Sequence, residues 1–129
     1  MKDIKLKITL LEESYSVCRL SPGAPFPAWT ADSAFLSMTR TADELSIVCL
    51  QSSIPEGVRC EKDWRILKVE GPLDFSLIGI IARISAILAE AGISLFAVST
   101  FDTDYILVRQ NSIEQAIETL TRSDYEVMR

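Results

Sequence analysis

From Trp64 onward the apolar positions fall into runs whose spacing changes in an orderly way. Residues 64–70, WRILKVE, are β-rich and end against Gly71-Pro72, so they read as a strand. Residues 77–91 are apolar at nearly every turn except Gly79, Arg83, Ser85 and Glu90, and Gly92 follows where helices commonly end in left-handed backbone. Ser76, Gly79, Arg83 and Glu90 share one narrow face, so the rest of this helix needs a sheet on one side and a second repeat or subunit on the other. Residues 93–101 then read as a buried strand, Asp102-Thr103 as a turn and 105–109 as the returning strand of a hairpin. Ser112 and Gln115 have the spacing of a capping box. Behind them Ile113, Ala116, Ile117 and Leu120 recur at i, i+3, i+4 and i+7, one helical stripe, and 125–128 form a last short strand. The order βαββαβ predicts an α+β, ferredoxin-like fold with helices on one face of an antiparallel sheet.

The first half repeats the second more loosely. Leu6-Lys7-Ile8 aligns with Leu67-Lys68-Val69, Ser33-Ala34-Phe35 with Ser94-Leu95-Phe96, and Thr39 with Thr100, all in one register. After a one-residue gap Leu45-Ser46-Ile47-Val48 faces Tyr105-Ile106-Leu107-Val108, and Gln51–Ile54 resembles Gln110–Ile113. Four matches in order argue for duplication. Pro22, Pro25 and Pro27 replace the first helix of the early copy with a loop, and Pro55-Glu56-Gly57 cuts its second helix short. The chain therefore divides into a degenerate unit at 1–61 and a complete one at 62–129.

Composition narrows the function classes. The chain has 129 residues, 48% hydrophobic and 24% charged, a globular balance with a net charge of −5. Neither half is basic and no Lys/Arg cluster exists, which argues against a nucleic-acid partner. The amino-terminal MKDIKLKITLLEE lacks an apolar core of signal-peptide length. The longest uncharged stretch, 20–31, is well short of the ~20 residues that span a bilayer, so a soluble cytoplasmic protein away from membranes is expected. Histidine is absent, which removes the commonest general base and metal ligand together. Cys18, Cys49 and Cys60 are far apart in sequence, and each reads as a small buried apolar residue of a reducing compartment. No cofactor or metal is expected.

Two places carry candidate chemistry. Asp102 and Asp104 flank Thr103 at the hairpin turn, where acids could serve acid/base work or hold a hard cation, or simply bond the turn's own backbone. Ser76, Ser94 and Thr100 have no partner base, so no nucleophile is assigned. The loop 71–76 leads into the amino end of the apolar helix, where N–H groups and the dipole attract a carboxylate. Either Asp74 or Ser76 caps that helix, or the loop holds a small zwitterion, with the N–H groups on its carboxylate and Asp74 or Asp104 on its amine. Gly79 lets a ligand or a neighbouring helix approach closely.

The run Gly71-Pro72-Leu73-Asp74-Phe75, Gly79-Ile80-Ile81-Ala82-Arg83-Ile84 and Leu88-Ala89-Glu90-Ala91-Gly92-Ile93-Ser94 resembles an ACT domain, an allosteric amino-acid-binding module of ferredoxin-like fold. The segment 99–108, STFDTDYILV, together with Glu44–Cys49, resembles tandem-ACT proteins related to the regulatory pair of aspartate kinase and to animal cytosolic arginine sensors. The resemblance spans nearly the whole chain and is strongest over 64–110. It implies a ligand site at an interface, with the strand–helix loop of one unit facing the first central strand of another. In this sequence that site comprises Asp74, Phe75, Ser76, Ile78 and Gly79 opposite Ser94, Leu95 and Phe96, with Thr100 and Asp104 reading the ligand side chain. The expected protein is a non-catalytic regulatory module for a free amino acid, acting as a homodimer upon a regulated protein partner. An assembly module with a vestigial site is the alternative, and a small enzyme using Asp102 and Asp104 a more distant one.

Overall fold

The computed structural model describes residues 6–70 and 79–129. Within them the strands are β1 (Lys7–Leu10), β2 (Tyr15–Leu20), β3 (Ser37–Arg40), β4 (Leu45–Leu50), β5 (Cys60–Val69), β6 (Leu95–Ser99), β7 (Asp104–Arg109) and β8 (Glu126–Met128). The helices are α1 (Ile80–Glu90) and α2 (Ile113–Arg122), so the class is α+β as the apolar spacing predicts. Two compact units form, one from 13–64 and the other from 1–12 with 65–129.

The 13–64 unit has the antiparallel order β3-β4-β2-β5, using the first half of β5. That is the strand order of a ferredoxin-like unit, second, third, first, fourth, with its helices missing. Short 3-10 turns at Ala28–Thr30 and Gln51–Ser53 stand where helices would be. Pro22, Pro25, Pro27 and Pro55 explain the loss, since each removes a backbone donor and clashes with a continuing helix. Its core joins Cys18, Leu45, Ile47 and Cys49 with partly buried Trp29, Met38 and Cys60.

The other unit departs from the division at 61. Residues 6–8 are not the counterpart of 67–69; β1 lies beside β5, antiparallel, with Ile8 opposite Val69. On its other edge β1 runs parallel to β8, with Ile8 opposite Val127. The amino-terminal strand thus sits between the first and last strands of a unit whose other members begin at 65. Ile8 is completely buried there, in a core with Val69, Ile84, Leu88, Ile106, Val108 and Leu120. The resemblance of 6–8 to 67–69 reflects two adjacent strands with the same inward-facing pattern. Within 13–64 the role of first strand falls to β2.

Helix α1 begins at Ile80, three residues later than its apolar run suggests; 77–78 lie outside the described residues. Gly79 is its amino-terminal cap, with a left-handed φ of 81°. Ile84 and Leu88 are buried, Ile80, Ile81 and Ile87 half-buried, and Ala82, Arg83, Ala86, Ala89 and Glu90 exposed. The unit's own core covers the large side chains, which leaves mainly alanines outward. In α2 the whole stripe Ile113, Ala116, Ile117 and Leu120 is buried. The capping box does not form. A 3-10 turn, Gln110–Ser112, leads straight into the helix and holds Ser112 in helical backbone, so its hydroxyl turns to Asn111 and Gln115 donates to the Ala91 carbonyl, 3.2 Å.

Because β1 completes the sheet of this unit, Ile8→Ala should cost about 2–5 kcal/mol, the usual range for truncating a fully buried large aliphatic residue. Urea denaturation would read this as a lower midpoint at unchanged slope. A variant as stable as the parent would mean that β1 is dispensable.

Candidate functional site

The β6–β7 hairpin closes over residues 100–103. Thr100 N–H donates to the Thr103 carbonyl at 2.8 Å, and the Thr100 hydroxyl donates to the same oxygen at 3.0 Å. The β3–β4 hairpin closes in the same way over 41–44, with Thr41 N–H on the Glu44 carbonyl at 2.9 Å and the Thr41 hydroxyl accepting from Glu44 N–H. Thr41 is therefore the counterpart of Thr100, where the sequence repeat matches Thr39. Thr100 is exposed but committed to its turn, a local bond that Thr side chains make readily.

Asp104 opens β7 directly opposite Ser99, whose hydroxyl donates to its carboxylate at 2.6 Å. It is half-buried, whereas Asp102 is exposed at the tip. The two acids thus have turn surroundings, and among the described residues no group of acids and thiols is arranged to hold a metal ion.

Thr103 is a buried link that the sequence pattern does not mark. It is 95% buried, and its hydroxyl donates to the Val69 carbonyl at 2.6 Å. This bond ties the hairpin tip to the carboxyl end of β5, where the chain enters 71–78. A single Thr between two Asp residues gives no periodic signal of burial, so only its position in the fold reveals it.

Gly79 is exposed, and open space lies where its Cβ would be. Having no side chain, it offers the first turn of α1 no cap, so nothing from this position competes with an approaching anion. A side chain here would meet little bulk, yet the positive φ disfavours any β-branched residue. Gly92, φ 78°, ends the same helix, with Ile93 N–H on the Leu88 carbonyl at 3.0 Å. Ser94 is exposed just beyond, and Leu95 and Phe96 are half-buried at the start of β6.

These placements divide the candidate site. Gly79 and Ser94 lie beyond opposite ends of α1, whose eleven residues at 1.5 Å each make it about 16 Å long. Within this unit the chain does not bring Gly79 together with Ser94–Phe96. Asp74, Phe75, Ser76 and Ile78 lie outside the described residues. Strand β6 pairs only with β7 among the described residues, which leaves its other edge open.

Residues 59–122 match the ACT domain family, and residues 13–57 match a second family described as an N-terminal domain. A crystal structure from Agrobacterium tumefaciens is similar over 98% of this chain and 94% of that one, at 40% identity and a TM-score of 0.91. The human cytosolic arginine sensor for mTORC1 subunit 1 is 43% identical over 60 residues, 46% of this chain but 18% of that protein. The chain thus spans less than a fifth of that relative. The ligand-free regulatory subunit of aspartate kinase from Thermus thermophilus shares the fold at a TM-score of 0.65 and 10% identity, over 92% of this chain and 98% of that one. Fold and match together define a tandem of ACT-like units. The chain belongs to the ACT domain family.

If Thr103 anchors the hairpin to β5, Thr103→Val should lose about 1–3 kcal/mol, since it leaves the Val69 carbonyl without its donor in a buried place. Thr100→Val, exposed, should lose much less. Equal losses in chemical denaturation would contradict the ranking.

Proposed function

We propose that this protein is a non-catalytic regulatory module that binds a free amino acid. ACT domains are typically amino-acid-binding regulatory modules, and the curated relatives are arginine sensors by name. The observation that carries the reading is Gly79, an exposed left-handed cap with open space before an eleven-residue helix. Its position suits an α-carboxylate on the first N–H groups of α1. Asp104, at the hairpin end, supplies a carboxylate for the ligand's amine or for a polar or cationic side chain. Asp74, Phe75, Ser76 and Ile78 complete one half of the site, and Ser94, Leu95 and Phe96 the other. One unit holds Gly79 and Ser94–Phe96 at opposite ends of α1, so a second chain supplies the complement. The setting is cytoplasmic, and a regulated protein partner receives the signal.

A panel of free amino acids tested by thermal shift decides between this reading and an assembly module. A ligand at a hundredfold excess over its dissociation constant should add about 2.7 kcal/mol of stability. Gly79→Asn keeps the left-handed backbone, which Asn tolerates, while filling the open space, and should weaken binding without unfolding the protein. Asp104→Ala should shift the preference among amino acids, with losses on the order of ten- to a hundredfold for a ligand that bonds its carboxylate. If no amino acid raises the melting temperature, the assembly reading takes its place.

The open edge of β6 and the outward alanines of α1 support a homodimer. Edge strands left apolar invite pairing, and Leu95, Phe96, Ala97 and Val98 carry no charge to prevent it. Two-fold association is the expected symmetry. Light scattering at micromolar concentration should give twice the chain mass; a clean monomer would remove the second chain from the site.

A further inference from the structure

The three cysteines, distant in sequence, meet on one face of the 13–64 unit. Cys18 in β2 lies directly opposite Cys60 in β5, and Ser16 opposite Cys49 in β4, so the three thiols share a face across three adjacent strands. Cys18 and Cys49 are buried and Cys60 is half-buried, all in the reduced state. They pack in one apolar cluster with Leu45 and Ile47.

The register singles out one pair. Arg19 N–H donates to the Arg59 carbonyl at 3.0 Å, which makes Arg19 and Arg59 a hydrogen-bonded pair of the antiparallel ladder. Cys18 and Cys60, next along, are then a non-hydrogen-bonded pair, the kind whose Cα atoms lie about 4.5 Å apart with side chains closest. Disulfides span Cα separations of about 4.4–6.8 Å, so this pair needs no strand movement to join. Cys49 is diagonal to Cys18 and fully buried, where an oxidant has no direct access.

We propose that Cys18 and Cys60 form a reversible disulfide by exchange with a low-molecular-weight disulfide, with Cys60 as the point of entry and Cys49 not taking part. The Cys60 thiolate attacks one sulfur of the small disulfide; a mixed S–S bond forms, the original one breaks, and a small thiolate leaves and takes up the proton that Cys60 released. The Cys18 thiolate then attacks the Cys60 sulfur and expels the second small thiol. The protein dithiol loses two electrons and two protons, and the small disulfide becomes two thiols. Burial raises the Cys60 thiol above its ordinary pKa, and Cys18 is raised first by its hydrogen bond with Cys49 and then by burial. Exchange is therefore slow at neutral pH and faster as pH rises.

The experiment incubates the whole protein in oxidised and reduced glutathione at defined ratios until exchange stops, then traps free thiols and maps peptides by mass spectrometry. The expected result is a Cys18–Cys60 peptide that forms with oxidised glutathione, leaves one free thiol of three, and disappears on return to reduced glutathione. Cys49→Ala should retain the link and Cys60→Ser abolish it; if either variant fails to fold, the parent's peptide map decides alone. Three free thiols at every ratio, a Cys18–Cys49 link, or glutathione held on Cys60 without a protein disulfide would each overturn the proposal.

Discussion

The insertion of β1 is the constraint on which the carboxyl-terminal unit depends. A ferredoxin-like unit places its first and last strands side by side, yet here β5 and β8 each pair with β1 instead. The space between them is one strand wide, and Ile8 fills the core beneath it with no exposed surface. Thr9 adds a hydroxyl bond to the Glu70 carboxylate at 2.6 Å, and Glu70 N–H donates to the Lys7 carbonyl at 2.8 Å. The two ends of β1 and β5 are thereby fixed just before the segment that leads to α1. The carboxyl end of β5 is thus held by residues more than sixty positions earlier in the chain.

The hairpin tip is held to the same place from the other side. Thr103 bonds the Val69 carbonyl, one residue before Glu70. The carboxyl end of β5 therefore has β1 on one flank and the 100–103 turn on the other, each bonded through a threonine hydroxyl, of Thr9 and of Thr103. The 41–44 turn repeats the backbone geometry of 100–103, but Glu44 stands where Thr103 does. A carboxylate only accepts hydrogen bonds, so the early unit lacks this anchor. The turn recurs in both units, while the anchor belongs to one.

What was legible in the sequence follows from the reach of each physical signal. The stripe of α2, the strand-turn-strand over 95–109 and the proline-broken first copy are local patterns, and the chain forms them where the periodicity puts them, although β6, read as a buried strand, has no buried residue. The place of β1 was not legible, because alternation predicts a strand and says nothing about its neighbours. Residues 6–8 looked like 67–69 because both strands send apolar side chains into one core. The capping box failed for a related reason: Ser112 and Gln115 have the right spacing, but the incoming 3-10 turn sets a backbone that the spacing does not encode. Among site residues, Gly79 was legible as a glycine at a helix start, though its place as cap rather than first-turn residue required its φ.

Cysteines 18, 49 and 60 show the limit most clearly. Their separations, 31 residues from Cys18 to Cys49 and 11 from Cys49 to Cys60, argue against any shared chemistry when read along the chain, and individually each fits the description of a small apolar residue. Only three independent registers, β2 with β4, β2 with β5 and the alternation of each strand, bring them to one face. A shift of one residue in any of these would send one thiol to the opposite face. The bulge between Tyr15 and Val17 is where such a shift is absorbed, since Tyr15 faces Trp64 while Val17 faces Glu61. Without that irregularity a straight continuation from Tyr15 and Trp64 would leave Cys18 opposite Glu61 instead of Cys60. The thiol pairing in the amino-terminal unit therefore rests on one bulge, as the loop geometry of the carboxyl-terminal unit rests on one inserted strand.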